Sequence, residues 1–155
     1  MSKHKESELV SNKRAFYDYE IIETFEAGII LSGTEVKSLR NHGGSLQEAY
    51  ILISQQGKVL LKNASIAPYR FGNIFNHEDK RDRFLLLHKR EIIRLKNLSQ
   101  EKGFTLIPLS MYLKNGFVKV KVACARGKKN YDKRQALKEK EHTKTIQQAM
   151  RNRID

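Results

Sequence analysis

The chain has 155 residues, enough for one domain with a real core plus a tail, and carries 30 Lys and Arg against 17 Asp and Glu, a formal charge of +13. Such a charge favours a polyanionic partner, and the apolar runs (Ile29-Ile30-Leu31, Phe84 to Leu87) fall far short of the roughly 20 residues of a membrane-spanning helix, so nucleic acid is expected rather than a membrane. The charged N-terminus has no apolar stretch of the signal-peptide kind, and the lone cysteine, Cys124, excludes an internal disulfide and suits a reducing cytoplasm.

Residues 1–10 are polar and are expected to be a flexible N-terminus. Asn12-Lys13-Arg14-Ala15 leads into an alternating run in which Tyr17, Tyr19, Ile21 and Phe25 share one side, the pattern of a half-buried strand. Glu26-Ala27-Gly28 interrupts it and predicts a bulge or bend. Ser32-Gly33-Thr34-Glu35 has capping-box spacing and opens a short helix to about Asn41, with Val36 and Leu39 inward, Lys37 and Arg40 outward, and Gly43-Gly44 as its stop. Residues 49–53 and 58–66 read as strands around Gln55-Gln56-Gly57. Residues 68–83 lack any period and read as a mobile loop. Phe84 to Leu87 is a buried stretch of ambiguous type, and residues 88–102 read as a helix with Ile92, Leu95 and Ser99 on one face, ended by Gly103.

Asn115-Gly116 is the strongest local signal, because both residues accept the positive φ of a two-residue type I′ turn. Counting outward pairs Leu113 with Val118, Met111 with Val120 and Leu109 with Val122 on an apolar face, and Tyr112 with Lys119 and Ser110 with Lys121 on the other. Pro108 cannot donate to a ladder and belongs at an edge or bulge. The whole predicts a mainly β fold: a small antiparallel OB-like barrel over residues 11–126, with two to three short helices. Residues 127–155 form a basic C-terminal tail; from Arg126 onward ten Lys or Arg face four Asp or Glu, a net of +6. Ile146, Ala149, Met150 and Ile154 make a thin apolar stripe there, which suits either a tail that is disordered when free and helical on a partner surface, or a helix docked on its own barrel.

The histidines and the cysteine show no metal-ligand spacing, Gly43-Gly44 is no phosphate loop, and no nucleophile, acid/base pair or cofactor motif is visible. Catalytic residues, metals and cofactors are therefore not expected, and Cys124 reads as core. Asn12-Lys13-Arg14, Lys37, Arg40, Lys114, Lys119 and Lys121 suggest a surface that tracks phosphates. Glu26 is the odd acid among these bases: either a solvated bulge residue, or an acceptor for a base amino group or a ribose 2′-hydroxyl. On these residues alone an RNA adaptor, a general RNA-binding barrel and an RNA-modifying enzyme all remain open.

Asn12-Lys13-Arg14-Ala15, Phe25-Glu26-Ala27-Gly28-Ile29, Gly33-Thr34-Glu35-Val36-Lys37-Ser38-Leu39-Arg40, the Asn115-Gly116 hairpin, and Gly127-Lys128-Lys129 with Asp132-Lys133-Arg134 together resemble the small protein B (SmpB) family, the SsrA-binding or tmRNA-binding proteins of bacteria. The resemblance spans roughly residues 11 to 150. It implies a monomeric, non-catalytic, cytoplasmic adaptor that binds the tRNA-like domain of tmRNA and brings it to stalled ribosomes in trans-translation, meeting the aminoacyl-tRNA delivery elongation factor only indirectly. It also implies that the tail occupies the empty mRNA channel and stands in for a codon–anticodon duplex at the small-subunit decoding centre. The family's tRNA-like-domain surface falls on Asn12, Glu26, Leu86 and Lys119. Its ribosome-facing residues fall on Gly127, Lys128, Lys129, Tyr131, Asp132, Lys133, Arg134, Ala149 and Met150.

Overall fold

A computed structural model of the chain describes residues 7–69, 71 and 76–128. Among them, nine strands and three helices follow in the order β1 (Ser7–Ser11), α1 (Lys13–Asp18), β2 (Tyr19–Ile29), α2 (Gly33–Arg40), β3 (Gly44–Ser45), β4 (Tyr50–Ile53), β5 (Val59–Lys62), β6 (Ser65–Ile66), β7 (Arg83–Leu86), α3 (Lys89–Ser99), β8 (Phe104–Lys114) and β9 (Phe117–Gly127). Seven strands form one antiparallel sheet in the order β1-β8-β9-β2-β7-β5-β4, while β3 and β6 pair separately. The sheet curls so that β4 packs against β8, but β1 and β4 are not hydrogen-bonded to each other. The result is an open barrel of the expected β class.

The hairpin at its centre follows the local rule. Asn115 and Gly116 take φ of 53° and 82°, and Leu113–Val118, Tyr112–Lys119, Met111–Val120 and Ser110–Lys121 pair as counted. Beyond Ser110 the count fails by one residue. Pro108 does mark a bulge, and it is Pro108 that stands opposite Val122. The extra residue, Leu109, is thereby turned outward, into a cluster with Ala15, Ile107, Ala123 and Ala125. A matching bulge in β2 lies between Ile21 and Glu23, not at Gly28, where β2 runs on unbroken.

β9 itself is regular, so Val118, Val120, Val122 and Cys124 line the interior with Leu39, Leu61, Leu95 and Met111, and burial pushes the Cys124 thiol up from its ordinary value. Lys119, Lys121, Ala123 and Ala125 share the other face by strand alternation. α1 rests on the alanine end of that outer face through Ala15. Residues 16–18 thus belong to a helix rather than to the expected strand; six residues are too few to show a helical period, and an Arg14–Asp18 ion pair of 3.1 Å bridges its single turn.

Three further expectations are corrected. Residues 7–10 are not a free terminus but part of an edge strand on β8, with Val10 buried; residues 1–6 lie outside the described set. The expected mobile loop holds, in its described part, a fixed ionic centre. Arg83 and Glu35 are both fully buried and joined at 2.5 Å. Arg83 also donates to the carbonyls of Ala64 (2.8 Å) and Asp79 (2.9 Å). Glu35 additionally accepts from the Ser32 amide, completing the capping box that opens α2. Last, Phe84 to Leu87 is not a buried run: in β7 Arg83 and Leu85 face in, while Phe84 and Leu86 face out. The paired arginine takes the inward place that hydropathy assigns to phenylalanine.

α2 keeps Leu39 buried and Lys37 and Arg40 exposed, as its spacing predicts. Its end is made by His42, which takes the left-handed conformation at φ 61°. Gly44 serves packing instead, since a Cβ there would lie 2.6 Å from both Leu39 and Val10 side chains. α3 closes the barrel with Leu95 and Leu98, and Gly103 turns the chain into β8 at φ 86°.

Candidate nucleic-acid interface

Strand pairing sets one row of residues straight across five strands on the outer face. Glu8 stands opposite Tyr112, Tyr112 opposite Lys119, Lys119 opposite Gly28, and Gly28 opposite Leu86. Four steps of about 4.8 Å give this row a length of roughly 19 Å. Gly28 matters here for what it lacks. A Cβ built on it would lie 3.5 Å from the Leu86 Cβ and 3.8 Å from the Lys119 ammonium, so the bare backbone leaves a shallow notch with a cation on one side and an exposed leucine on the other. Leu86 is 57% exposed, which leaves its apolar surface available to a ribose or base face.

Glu26, two residues before Gly28, projects from the same face and stands opposite Lys121. Its carboxylate accepts from the Tyr112 hydroxyl at 2.7 Å and from the Lys114 ammonium at 3.1 Å. Tyr112 above all, then Lys114 and Lys119, hold the Glu26 carboxyl below its ordinary value against a smaller opposing effect of burial. Glu26 therefore remains an anion among lysines at neutral pH. It faces a cleft of about 430 Å³ lined by Glu8, Thr24, Phe25, Ser110, Tyr112 and Lys121.

The other expected residues divide into groups. Lys13 and Arg14 ride on α1, hence on the same outer face as Lys119 and Lys121, with Arg14 stacked 5.1 Å from the Tyr17 ring centre. Asn12 is buried; its side-chain amide donates to the Pro108 carbonyl at 3.0 Å and its backbone amide to that of Leu109 at 2.8 Å. Its task in the fold is to seal the bulge in β8. Lys37 lies over the Tyr69 ring at 5.6 Å, and Arg40 is exposed at the end of α2. Both sit on a different element from the row of residues on the sheet.

At the start of the tail, Gly127 is the last residue of β9 and pairs with Tyr19. The Lys128 amide donates to the Asp18 carbonyl at 2.9 Å and its ammonium to the Phe16 carbonyl at 3.1 Å, which neutralises the carbonyl end of α1. Gly127 and Lys128 thus belong to the folded body, two residues past the expected boundary. Lys129, Tyr131, Asp132, Lys133, Arg134, Ala149 and Met150 lie outside the described residues.

Sequence reasoning placed Lys119 and Lys121 together but missed Tyr112 as the partner of Glu26, and Glu8 altogether. The turn count already set Tyr112 beside Lys119. What no local signal carried was that β2 lies against β9.

The comparisons agree with this architecture. A family model described as SmpB protein matches residues 9–152. The SsrA-binding protein of Protochlamydia amoebophila is 56% identical over 149 residues, covering 96% of this chain and 97% of its own. The SsrA-binding protein of Geobacillus thermodenitrificans is 46% identical, covering 99% of this chain and 98% of its own. A chain from a solved structure described as tmRNA-SmpB, a journey to the center of the bacterial ribosome, superposes with a TM-score of 0.63 at 42% identity, covering 83% of this chain and 87% of that one. By the reach of the family match and the near full-length identity of these relatives, the chain belongs to the SmpB protein family.

Proposed function

We propose that this chain binds tmRNA through the outer face of its sheet and works with it at the ribosome in trans-translation, as an adaptor without catalysis. Family membership supports the RNA and the ribosome as partners, since the relatives are named SsrA-binding proteins and the solved neighbour pairs tmRNA with SmpB on the bacterial ribosome. The observation that carries the surface assignment is the row Glu8, Tyr112, Lys119, Gly28 and Leu86, which with Glu26 beside it offers an RNA a cation, an apolar contact and an anionic acceptor within one span. A phosphate meets Lys119, with Lys13 and Arg14 extending the field along the same face. Leu86 supports a ribose or base, and Glu26 accepts from groups that no phosphate supplies.

The reading extends to the cytoplasm as the place of action; among the described residues no helix is long and apolar enough to cross a membrane. It extends to the tRNA-like domain as the bound part of tmRNA, and to a monomer that meets the elongation factor only through that RNA. Residues beyond Lys128 supply the ribosome-facing part, through Tyr131 to Arg134 and Ala149-Met150. Because Lys128 is fastened to α1, such a tail departs from the helix end of the outer face.

Pull-down of the full chain from a bacterial lysate, followed by sequencing of the bound RNA, tests the assignment. One dominant RNA, tmRNA, is expected. A broad spectrum of RNAs would instead identify a general RNA-binding barrel.

A further inference from the structure

Glu26 is an unusual residue to find on a phosphate-tracking surface, because a carboxylate repels phosphate and lowers affinity there. The fold nevertheless holds it in place with Tyr112 and Lys114. Its cross-strand neighbour Lys121 makes no ion pair with it among the described residues, although the two stand directly opposite each other on one face. An acceptor-only group and a donor-only group therefore sit side by side along one wall of a cleft, both with capacity left over. The remaining polar lining consists of the Thr24 and Ser110 hydroxyls and the Glu8 carboxylate. The cleft, at about 430 Å³, has room for a nucleoside.

Resting on the RNA-binding reading above, we propose that this cleft receives one unpaired guanine, with Glu26 accepting from its N1–H and N2–H donors and Lys121 donating to its O6 and N7. The four bases differ in a way this pair of side chains can read. Guanine alone places two donors next to each other, and its two acceptors continue the same edge on the O6 side, matching the order Glu26 then Lys121. Adenine and cytosine each place one amino group beside a ring nitrogen that accepts, so a carboxylate meets one donor and one lone pair. Uracil offers a single N–H flanked by two carbonyls. For those three bases one carboxylate oxygen faces a lone pair, and selectivity follows as much from that repulsion as from the bonds gained with guanine. Tyr112 acts as a positioning residue: its hydroxyl occupies one lone pair of Glu26 Oε2 and fixes the plane of the carboxylate.

The test is an NMR titration of the full chain with the pentanucleotides UUGUU, UUAUU, UUCUU, UUUUU and UUIUU, where I is inosine, which lacks the N2 amino group. UUGUU is expected to bind at least about tenfold tighter than the A, C and U oligomers, the equivalent of one charge-assisted hydrogen bond. Its amide shifts should centre on Thr24, Ser110, Tyr112 and Lys121, and inosine should lose most of the advantage. Glu26→Gln should erase the guanine preference, and Lys121→Met should weaken UUGUU and UUIUU alike, since both bases carry O6 and N7. Equal affinity for all five oligomers, a preference that survives Glu26→Gln, or shifts centred elsewhere would overturn the proposal. A parallel titration with whole tmRNA separates the two claims. Tight tmRNA binding without guanine preference overturns the base assignment alone, whereas absence of tmRNA binding overturns the function on which it rests.

Discussion

The hydroxyl of Tyr112 donates to Glu26 Oε2 at 2.7 Å, joining β8 to β2 across the intervening β9. Because this bond is the leading cause that keeps the Glu26 carboxyl below its ordinary 4.5, Tyr112→Phe should move the Glu26 titration upward. The depressed value means that the carboxylate contributes stability above its unfolded pKa, and that the contribution fades as pH falls through the folded one. Carbon-detected NMR of the Glu26 carboxyl in both proteins reads the shift directly. The surface position limits the effect on stability, with side-chain exposures of 39% for Glu26 and 36% for Lys114, so the change should appear in the titration far more than in the melting temperature.

The opposite balance holds at Glu35 and Arg83, which are both fully buried. Burial opposes the charge on Glu35, but hydrogen bonds from Arg81, from the Ser32 amide and from Arg83 outweigh it and hold the carboxyl below 4.5. Arg83→Met leaves that carboxylate without its innermost partner and should cost about 3–5 kcal/mol, the usual result of breaking a buried pair. Glu35→Gln should also destabilise at neutral pH, while flattening the acid limb. Since the folded pKa is depressed, wild-type stability from this group is present above about 4.5 and is lost as pH falls below it. Urea midpoints measured from pH 7 down to pH 3 compare the slopes.

These two pairs also show what could be read from the sequence. The Asn115-Gly116 hairpin, the capping box at Ser32 and Glu35, and the bulge at Pro108 were legible because each depends on neighbours a few residues away. The consequence of that bulge, Leu109 turning to meet Ala15, was not, because α1 is too short to announce itself. Arg83 read as loop because its partner stands 48 residues earlier. β1 read as a free end because a five-residue polar strand gains its stability from β8. At the interface, Lys119 and Glu26 were legible from the residues as a base and the odd acid of a phosphate-tracking surface, and Leu86 only through the family resemblance. Their arrangement in and beside one row required the non-local order β9-β2-β7.

A separate prediction concerns the chain beyond the described residues. Replacing Asp132, Lys133 and Arg134 together by Ala should abolish tagging of stalled peptides while leaving tmRNA affinity near wild type. A reconstituted stalled-ribosome peptidyl-transfer assay, run beside a tmRNA titration, checks it. If affinity falls in step with tagging, the segment belongs to the tmRNA grip and not to the ribosome-facing part.

The central claim is that tmRNA lies on the outer face where Lys119 and Leu86 flank Gly28. Filter binding of tmRNA over a series of salt concentrations tests it most directly, using wild type, Lys119→Ala and Gly28→Val. Lys119→Ala should weaken binding and make the salt slope shallower by about one unit, the signature of one lost phosphate contact. Gly28→Val should weaken binding without changing that slope, since it fills the notch beside Leu86 but keeps the charge. Wild-type affinity and slope in both variants would contradict the account and place the tmRNA on another surface.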